Sequence, residues 1–396
     1  MASNPFTPTF GSSPPLLVGR QDLIDDFGDG LDNGPGSPER AVLFAGVRGI
    51  GKTVMLNAVE DAARERGWVV ISETALPGML HRIIAEHLPA LLSQIDPKTR
   101  RRRLNSVSAT TPVGGLGVGW ENQDSHEVAA GLRSQIHQVT DLLAKNGTGL
   151  LITVDEVHRG EVEAMRLLGA EIQHAFREER DVAFAGAGLP SAVSDLLGAE
   201  GATFLRRAER HSLGAVEDLD ELSSAIRIPI EDRGRRIGAE ALTIATDATD
   251  GYPFLIQLVG YHVWRQHPAR VLITRGDVEA GIAAATRRLG ALVHEPSLAT
   301  VSDVGKTYLV AMAVDEGPSR TGVIADRIGV GANYASVYRQ RLLEAELIRP
   351  AGYGRVDFTL PYLRQYLREH ATSLVPPGGK GASARRTAAR KAKRRA

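Results

Sequence analysis

The segment that most constrains the fold is a short glycine-rich sequence near the N-terminus, Gly46-Val47-Arg48-Gly49-Ile50-Gly51-Lys52-Thr53. It follows an apolar run at 41–45 and precedes a stretch with helical periodicity at 53–66. The spacing is G-x-x-x-x-G-K-[ST], in which glycines let backbone N–H groups turn toward an anion at the start of a helix. This P-loop predicts a site for the phosphates of ATP, with Lys52 on the phosphates and the Thr53 hydroxyl on Mg²⁺.

A pair of acids lies further along the chain, directly after the branched apolar run at 149–154. Ligands of open α/β sheets collect at the carboxyl ends of the strands, so Asp155 and Glu156 are expected beside the P-loop. Asp155 would hold Mg²⁺ together with Thr53, and Glu156 would orient or deprotonate the attacking water. The alternative is a pair of acids that only favours the N-terminus of a following helix.

Length and composition indicate the class of protein. With 396 residues, 43% hydrophobic and 24% charged, the chain suits two or three globular domains. It has no cysteine, and no apolar run is long enough to cross a bilayer. The first residues resemble no signal peptide. We therefore predict a cytoplasmic protein without a membrane partner.

Charge is distributed unevenly along the chain. Eight of the 47 Lys/Arg residues lie in the last 17 residues, which hold no acid, so residues 1–379 carry a net charge of about −8. The tail follows a Pro-Pro-Gly-Gly sequence and is predicted to be disordered. It could add affinity for nucleic acid through phosphate contacts, or serve only for solubility.

The order of apolar strands and amphipathic helices predicts an α/β fold with a parallel sheet, a P-loop NTPase core. The pattern becomes purely helical at about 219–292, which suggests a helical lid, and changes again after 297. The predicted regions are a disordered N-terminus (1–15), the ATPase core (16–216), the lid (217–294), a winged helix-turn-helix (295–372) and the basic disordered tail (373–396).

The winged helix-turn-helix is predicted from three helical stretches followed by a strand pair at 347–359. On its third helix we expect Tyr334, Tyr338 and Leu342 to pack inward. The outward residues, available to double-stranded DNA, would be Asn333, Ser336, Arg339 and Gln340. Residues 297–371 hold nine Lys/Arg and eight Asp/Glu, however, so a protein partner is an open alternative.

The segments 17–20, 44–53 and 151–156 resemble AAA+ ATPases, and most closely the branch with origin-recognition initiators and STAND signalling ATPases. The two Walker motifs, the P-loop and Asp155-Glu156, are the most specific part of this resemblance. It implies a five-stranded sheet, a lid that closes on ATP and often a C-terminal winged helix. It also implies that Val18 and Gly19 lie near the adenine.

Two features of that family are missing from the sequence. The fourth strand, 182–188, ends without a polar sensor residue, and the lid segment 251–257 has no arginine. This favours the alternative of a signalling switch with weak or no intrinsic hydrolysis. An arginine finger could come from Arg206 or Arg207, which would act from a neighbouring subunit of a homo-oligomer. The alternative is that both arginines only face solvent.

Overall fold

A computed structural model describes residues 3–9, 11–95, 125–199 and 204–374 of the chain. The predicted basic tail lies, from residue 375 onward, outside these ranges. The described residues form two compact units. The core unit comprises 11–13 and 17–214, and the C-terminal unit comprises 3–9, 14–16 and 215–374. No helix in the described ranges has both the length and the apolarity that crossing a bilayer requires.

The core unit is built on a five-stranded parallel sheet with the order β2-β3-β4-β1-β5. The strands are β1 (Ala41–Ala45), β2 (Val69–Thr74), β3 (Leu150–Val157), β4 (Val182–Gly188) and β5 (Glu209–Ser212). The central strands read as continuous apolar runs because helices cover both faces of the sheet. The predicted α/β fold with a parallel sheet is therefore confirmed. Strand β4 lies between β1 and β3.

The helices of the core unit connect these strands. They are α1 (Gln21–Asp32), α2 (Lys52–Glu65), α3 (Met79–Arg82), α4 (Leu88–Ile95), α5 (Ser125–Leu143), α6 (Val162–Arg177) and α7 (Pro190–Gly198). A π turn (Ile83–His87) joins α3 to α4, and a 3₁₀ turn (Leu205–Arg207) precedes β5. Helix α6 shows why they pack: its buried residues recur every three or four positions and face the core.

The C-terminal unit begins with four helices, α8 (Leu219–Asp232), α9 (Ala239–Asp247), α10 (Pro253–Trp264) and α11 (Arg275–Leu289). Between them lie the two-residue strands β6 (Arg236–Ile237) and β7 (Leu272–Ile273), which pair in parallel. The purely helical pattern predicted for 219–292 is thus wrong at this point. Strands of two residues carry no periodicity that a sequence could reveal.

The second half of the C-terminal unit contains a small antiparallel sheet. After a π turn (Gly290–His294) come α12 (Glu295–Ala299), α13 (Asp303–Met312), β8 (Ser319–Arg320), α14 (Thr321–Ile328), α15 (Ala332–Glu344), β9 (Ile348–Pro350), β10 (Arg355–Phe358), α16 (Leu363–Glu369) and α17 (Ala371–Leu374). The sheet order is β8-β10-β9, with both pairs antiparallel. Three helices and a strand pair match the predicted elements, and β8 is additional.

The two halves of the C-terminal unit pack together. The Tyr362 hydroxyl donates a hydrogen bond to the Ala248 carbonyl at 2.8 Å, and His294 Nε2 lies 2.9 Å from the Pro361 carbonyl. His294 is 1% exposed, and this burial lowers its pKa to about 4. The imidazole is therefore neutral near pH 7. The predicted boundary at 294/295 falls inside this unit.

The N-terminal segment differs from the prediction of disorder at 1–15. Phe6 is 1% exposed and packs against Gly260, where any Cβ would lie 2.4 Å from the Phe6 ring. Asn4 Nδ2 donates to the Tyr261 carbonyl at 3.0 Å, and the Thr7 N–H donates to Gln257 Oε1 at 3.2 Å. The Pro/Ser/Thr-rich composition suggested disorder, but one buried aromatic ring anchors the segment.

Arg40 stabilises the core unit from a fully buried position. It is 1% exposed, and its guanidinium donates to the Gly30 and Leu31 carbonyls at 2.8 and 2.6 Å. It also pairs with Asp181 at 2.9 Å and lies 4.9 Å from the ring centre of Trp68. Arg40 thus joins the end of α1 to the residue that precedes β4.

We expect Arg40→Met to lower the free energy of unfolding by about 3 kcal/mol, because two buried carbonyls and Asp181 lose their donor. The measurement is urea denaturation followed by tryptophan fluorescence. Arg177→Met, at an exposed position of the same unit, is the control and should change stability by less than about 0.5 kcal/mol. Equal stability of the two variants would contradict this role of Arg40.

Candidate functional site

The P-loop connects β1 to α2 in a conformation that requires glycine. Gly49 and Gly51 have φ angles of 75° and 96°, in the left-handed region that other residues rarely adopt. At Gly46 a Cβ would lie 2.6 Å from Ile50 Cγ2, so a side chain there would collide with the loop itself. The glycines of the motif are thus explained by the backbone path.

Neighbouring strands hold the loop at the carboxyl edge of the sheet. The Gly46 N–H donates to the Gly188 carbonyl at the end of β4, at 3.2 Å. On the other side, the Leu213 N–H donates to the Ala45 carbonyl at 2.7 Å. Helix α2 begins at Lys52, so the N–H groups of its first turn and the positive end of its dipole lie at the loop. Such a loop favours an anion.

Lys52 lies against the loop that precedes it. Its ammonium donates hydrogen bonds to the Gly46 and Val47 carbonyls, at 2.8 and 3.0 Å. These two contacts hold the ammonium group within the P-loop. A phosphate group at the loop would therefore meet both the ammonium and the N–H groups of α2.

Thr53 and Asp155 meet in a direct hydrogen bond. The Thr53 hydroxyl donates to Asp155 Oδ2 at 2.6 Å, although the two residues come from α2 and β3. Both side chains are half-buried. Hydroxyl and carboxylate oxygens are ligands that Mg²⁺ prefers, and a few protein oxygens suffice when phosphates supply others. This pair therefore fits the predicted magnesium site.

Glu156 is exposed and directly follows Asp155 at an irregular point of β3. The pairing of β3 with β4 shifts register between Val154 and Val157, and Glu156 has a φ of 55°. Its N–H donates to Asp155 Oδ1 at 2.7 Å. In a regular strand, consecutive side chains point to opposite faces. The bulge and the left-handed residue interrupt this alternation where the two acids follow each other.

Glu60, which the sequence did not single out, links the two elements that carry Thr53 and Asp155. It lies on α2, is 5% exposed, and accepts a hydrogen bond from the Thr153 hydroxyl at 2.5 Å. Arg64 donates to its second oxygen at 2.7 Å. Glu60 thus links α2, which carries Thr53, to β3 two residues before Asp155. The available signal was an acid seven residues after Thr53, on the core-facing side of the helix.

The segment before α1 is held near the carboxyl end of β5. Gly19 has a φ of 67°, and Arg20 donates one hydrogen bond to the Gly19 carbonyl at 2.9 Å and another to the Gly214 carbonyl. Gly214 follows β5 by two residues, and β5 pairs with β1. Val18 and Gly19 therefore lie on the same edge of the sheet as the P-loop. Their contact with adenine stays a prediction.

The two arginines proposed as a finger differ in their partners. Arg206 donates to the Leu197 and Ala199 carbonyls at 2.7 and 3.0 Å, at the end of α7. Arg207 is also exposed, and its side chain makes no hydrogen bond or ion pair within the described ranges. Arg210 donates to the Arg206 carbonyl. Of Arg206, Arg207 and Arg210, Arg207 is thus the one whose guanidinium has no such contact in the described part of the chain.

The end of β4 excludes a side chain as well as lacking a polar one. All seven residues of β4 are buried. A Cβ on Gly188 would lie 2.8 Å from the Val157 carbonyl, and one on Gly186 would lie 2.8 Å from Leu43 Cδ2. Strand β4, which lies between β1 and β3, thus has no room for a side chain at Gly186 or Gly188. His158 lies two residues after Glu156. Its Nδ1 accepts a hydrogen bond from the Gly160 N–H and so caps a 3₁₀ turn.

Helix α15 differs from its predicted orientation at Tyr334 and Arg339. Ala335 and Leu342 are buried, whereas Tyr334 is 46% exposed, so its predicted inward packing is wrong. Arg339, predicted to point outward, is half-buried, and its Nε is buried without a hydrogen-bond partner. Asn333, Ser336 and Gln340 are exposed as predicted. The small Ala335 allows close packing and lies on the buried face of α15. The positions of the large aromatic residues alone did not indicate this face.

Comparison with protein families identifies the part of the chain that carries this site. Residues 16–184, which include the P-loop, Asp155 and Glu156, match the AAA ATPase domain family. Residues 291–367 match a domain of unknown function, DUF8462. No curated protein matches the chain significantly.

Solved structures confirm the fold class. The Walker-type ATPase PABY2304 of Pyrococcus abyssi has a TM-score of 0.60 and 16% identity, over 89% of this chain and 96% of that one. The ORC2 protein of Aeropyrum pernix, solved in ADPNP–ADP complexes, has a TM-score of 0.52 and 14% identity, over 91% and 95%. At such low identities the likeness shows the fold alone, that of a P-loop NTPase.

We expect Lys52→Ala to weaken ATP binding at least about tenfold, because a charge-assisted contact to phosphate is lost. Isothermal titration with a non-hydrolysable ATP analogue measures this. Lys145→Ala removes an exposed lysine of the same unit and is the matched control, with unchanged affinity. If Lys52→Ala also bound the analogue like the wild type, the P-loop would not be the nucleotide site.

Proposed function

We propose that this protein is a Mg²⁺-dependent ATPase that couples its nucleotide state to the C-terminal unit. The observation that supports this most is the 2.6 Å hydrogen bond between the Thr53 hydroxyl and Asp155 Oδ2, beside a P-loop at the start of α2. It brings the two predicted metal-binding side chains together from residues 102 positions apart. A purely structural role of Thr53 and Asp155 would not require the two side chains to lie together beside a phosphate-binding loop.

Each side chain then has a defined part in ATP binding. The backbone from Gly46 to Gly51 and the N-terminus of α2 would surround the β-phosphate, and Lys52 would move from its loop carbonyls to the β- and γ-phosphates. Thr53 and Asp155 would hold Mg²⁺, which when bound neutralises negative charge on the phosphates. Glu60 would position both elements through Thr153.

Glu156 is the proposed base for the attacking water. It is exposed and follows Asp155 directly, so a water between its carboxylate and the γ-phosphate can transfer a proton to it while the oxygen attacks phosphorus. Its N–H contact to Asp155 restricts the backbone that carries this carboxylate. Hydrolysis then breaks the bond between the γ-phosphorus and the bridging oxygen, and ADP leaves.

Glu156→Gln should bind ATP with unchanged affinity and hydrolyse it about 10²-fold or more slowly, because the amide cannot accept the proton. Phosphate release under single-turnover conditions measures this. Glu179→Gln is the control, since Glu179 is also exposed and has a similar φ of 52°. An unchanged rate for Glu156→Gln would place the base elsewhere.

Arg207 is the proposed arginine finger, because Arg206 is engaged with the carbonyls at the end of α7. A finger stabilises charge on the phosphoryl group that is transferred, and it can act from a neighbouring subunit. The missing polar residue at the end of β4 increases the need for such a cation. Efficient hydrolysis would then require a homo-oligomer.

Arg207→Ala should lower ATP turnover about 10-fold or more without changing ATP affinity. Arg206→Ala is the comparison and should lower stability more than turnover. A mixture of Arg207→Ala and Lys52→Ala chains should recover part of the activity, because each supplies what the other lacks. Full activity of Arg207→Ala would contradict the finger. Loss of activity without recovery in the mixture would contradict its action in trans.

The residues from α13 to β10 are proposed to form a winged helix-turn-helix that acts on double-stranded DNA. Support comes from three helices, a three-stranded antiparallel sheet and the exposed Asn333, Ser336 and Gln340 on the third helix. The basic tail, with eight Lys/Arg, would add contacts to phosphates. Arg339 is not among the contact residues because it is half-buried.

One observation favours a second candidate, a signalling switch whose winged helix contacts protein. Helix α15 exposes Tyr334 and Val337 at 46% and 47%, and Tyr353 between β9 and β10 is fully exposed. Exposed apolar side chains are typical of protein contacts. ATP turnover with and without duplex DNA at low salt distinguishes the two. Stimulation that Asn333→Ala and Gln340→Ala abolish supports DNA, and no stimulation supports the switch.

A further inference from the structure

An arginine-lined cavity lies in the C-terminal unit. It is formed by the residues that follow α8, the end of α10, the segment that follows α10 and the N-terminal segment. Its volume is about 610 Å³. Ten residues line it, and none of them is acidic. Those with polar or aromatic side chains are Asn4, Arg233, Arg235, Tyr261, Trp264, Arg265 and Arg270. Four guanidinium groups without a carboxylate make the cavity strongly positive.

Arg235 forms the rigid base of the cavity. It is 7% exposed, lies 5.0 Å from the ring centre of Trp264, and donates to the Trp264 carbonyl. It also donates to the carbonyls of Arg270, Gln266 and His267, at 2.9, 3.2 and 3.4 Å. All four partners are neutral, so they fix the guanidinium without cancelling its charge. Burial lowers the pKa of Arg235, and the nearby carboxylate of Asp277 opposes this shift. Asp277 is itself hydrogen-bonded to His267 and Thr274.

The other three arginines are exposed at the rim. Arg233, Arg265 and Arg270 make no ion pair within the described part of the chain. The Arg265 guanidinium lies 5.5 Å from the ring centre of Tyr261. Two other arginines of this unit, by comparison, do have carboxylate partners: Arg227 pairs with Glu231, and Arg275 with Glu240. Cations that converge on a cavity without partners leave donors for an external anion.

We propose that this cavity binds phosphate groups, as a second anion site separate from the P-loop. Guanidinium groups present paired N–H donors that match phosphate oxygens, and three of the four here keep these donors exposed. One face of Trp264 and one of Tyr261 is covered by an arginine, so the cavity favours phosphate over a stacked base. The site goes beyond the proposed function, because neither ATP hydrolysis nor the winged helix uses it.

The test uses inorganic pyrophosphate and the full-length chain with Lys52→Ala, which removes the strongest contact of the P-loop. Isothermal titration should show pyrophosphate binding to this protein. Adding Arg265→Ser and Arg270→Ser should weaken binding at least about tenfold, because two charge-assisted contacts are lost. Both residues are exposed, and the Arg270 carbonyl that supports Arg235 remains, so the fold should persist.

Arg227→Ser in the same Lys52→Ala protein is the control, since it removes one half-buried positive charge from α8 outside the cavity. It should leave pyrophosphate affinity within about twofold of the parent. The proposal is overturned if the Lys52→Ala protein does not bind pyrophosphate, or if the Arg265/Arg270 double variant binds it as tightly as the control.

The source of the phosphate is distinguished with a duplex of about 20 base pairs, titrated at two salt concentrations. If the double variant weakens duplex binding as well as pyrophosphate binding, and reduces the salt dependence of duplex binding relative to Arg227→Ser, the cavity holds part of a nucleic acid backbone. If it weakens only pyrophosphate binding, the ligand is a small phosphate compound. Either result supports the phosphate site. Unchanged affinity for both probes contradicts it.

Discussion

The candidate site depends on one contact, the hydrogen bond from the Thr53 hydroxyl to Asp155. It requires that α2 starts directly after the P-loop and that β3 ends beside it, although β4 separates β1 from β3. The glycines at the end of β4 make this spacing possible, because a Cβ on Gly188 would collide with the Val157 carbonyl. Glu60 provides a second link between the same two elements through Thr153. The nucleotide site is therefore a property of the whole sheet edge.

The sequence predicted those parts in which local pattern and chemistry agree. The P-loop, the two acids near the end of β3 and the parallel sheet could be predicted because apolar strands, glycine turns and helical periodicity are local signals. The errors arose where packing decides. Phe6 anchors a segment with a disordered composition, and Ala335 sets the buried face of α15 at the expense of Tyr334. Arg206 and Arg207 could not be distinguished, because only the end of α7 engages one of them.

We propose three different roles for arginine in this chain, which its partners distinguish. Arg40 is buried with a carboxylate and two carbonyls, and it joins parts of the core unit. Arg235 is buried with carbonyls alone and keeps its charge for the cavity. Arg207 is exposed without a partner in the described residues, as a residue that acts on another subunit must be. A buried arginine whose charge is neutralised by a carboxylate thus stabilises the fold, whereas an arginine without a carboxylate partner can bind an anion.

The proposed binding of a metal ion by Thr53 and Asp155 together with ATP can be measured with Mn²⁺ in place of Mg²⁺. Electron paramagnetic resonance measures free Mn²⁺ in the presence of protein and a non-hydrolysable ATP analogue. The wild type together with the analogue should bind Mn²⁺ more tightly than the analogue alone does. Asp155→Asn should lose this gain, so that its affinity for Mn²⁺ falls about tenfold or more. Equal Mn²⁺ affinity of wild type and Asp155→Asn would contradict the account.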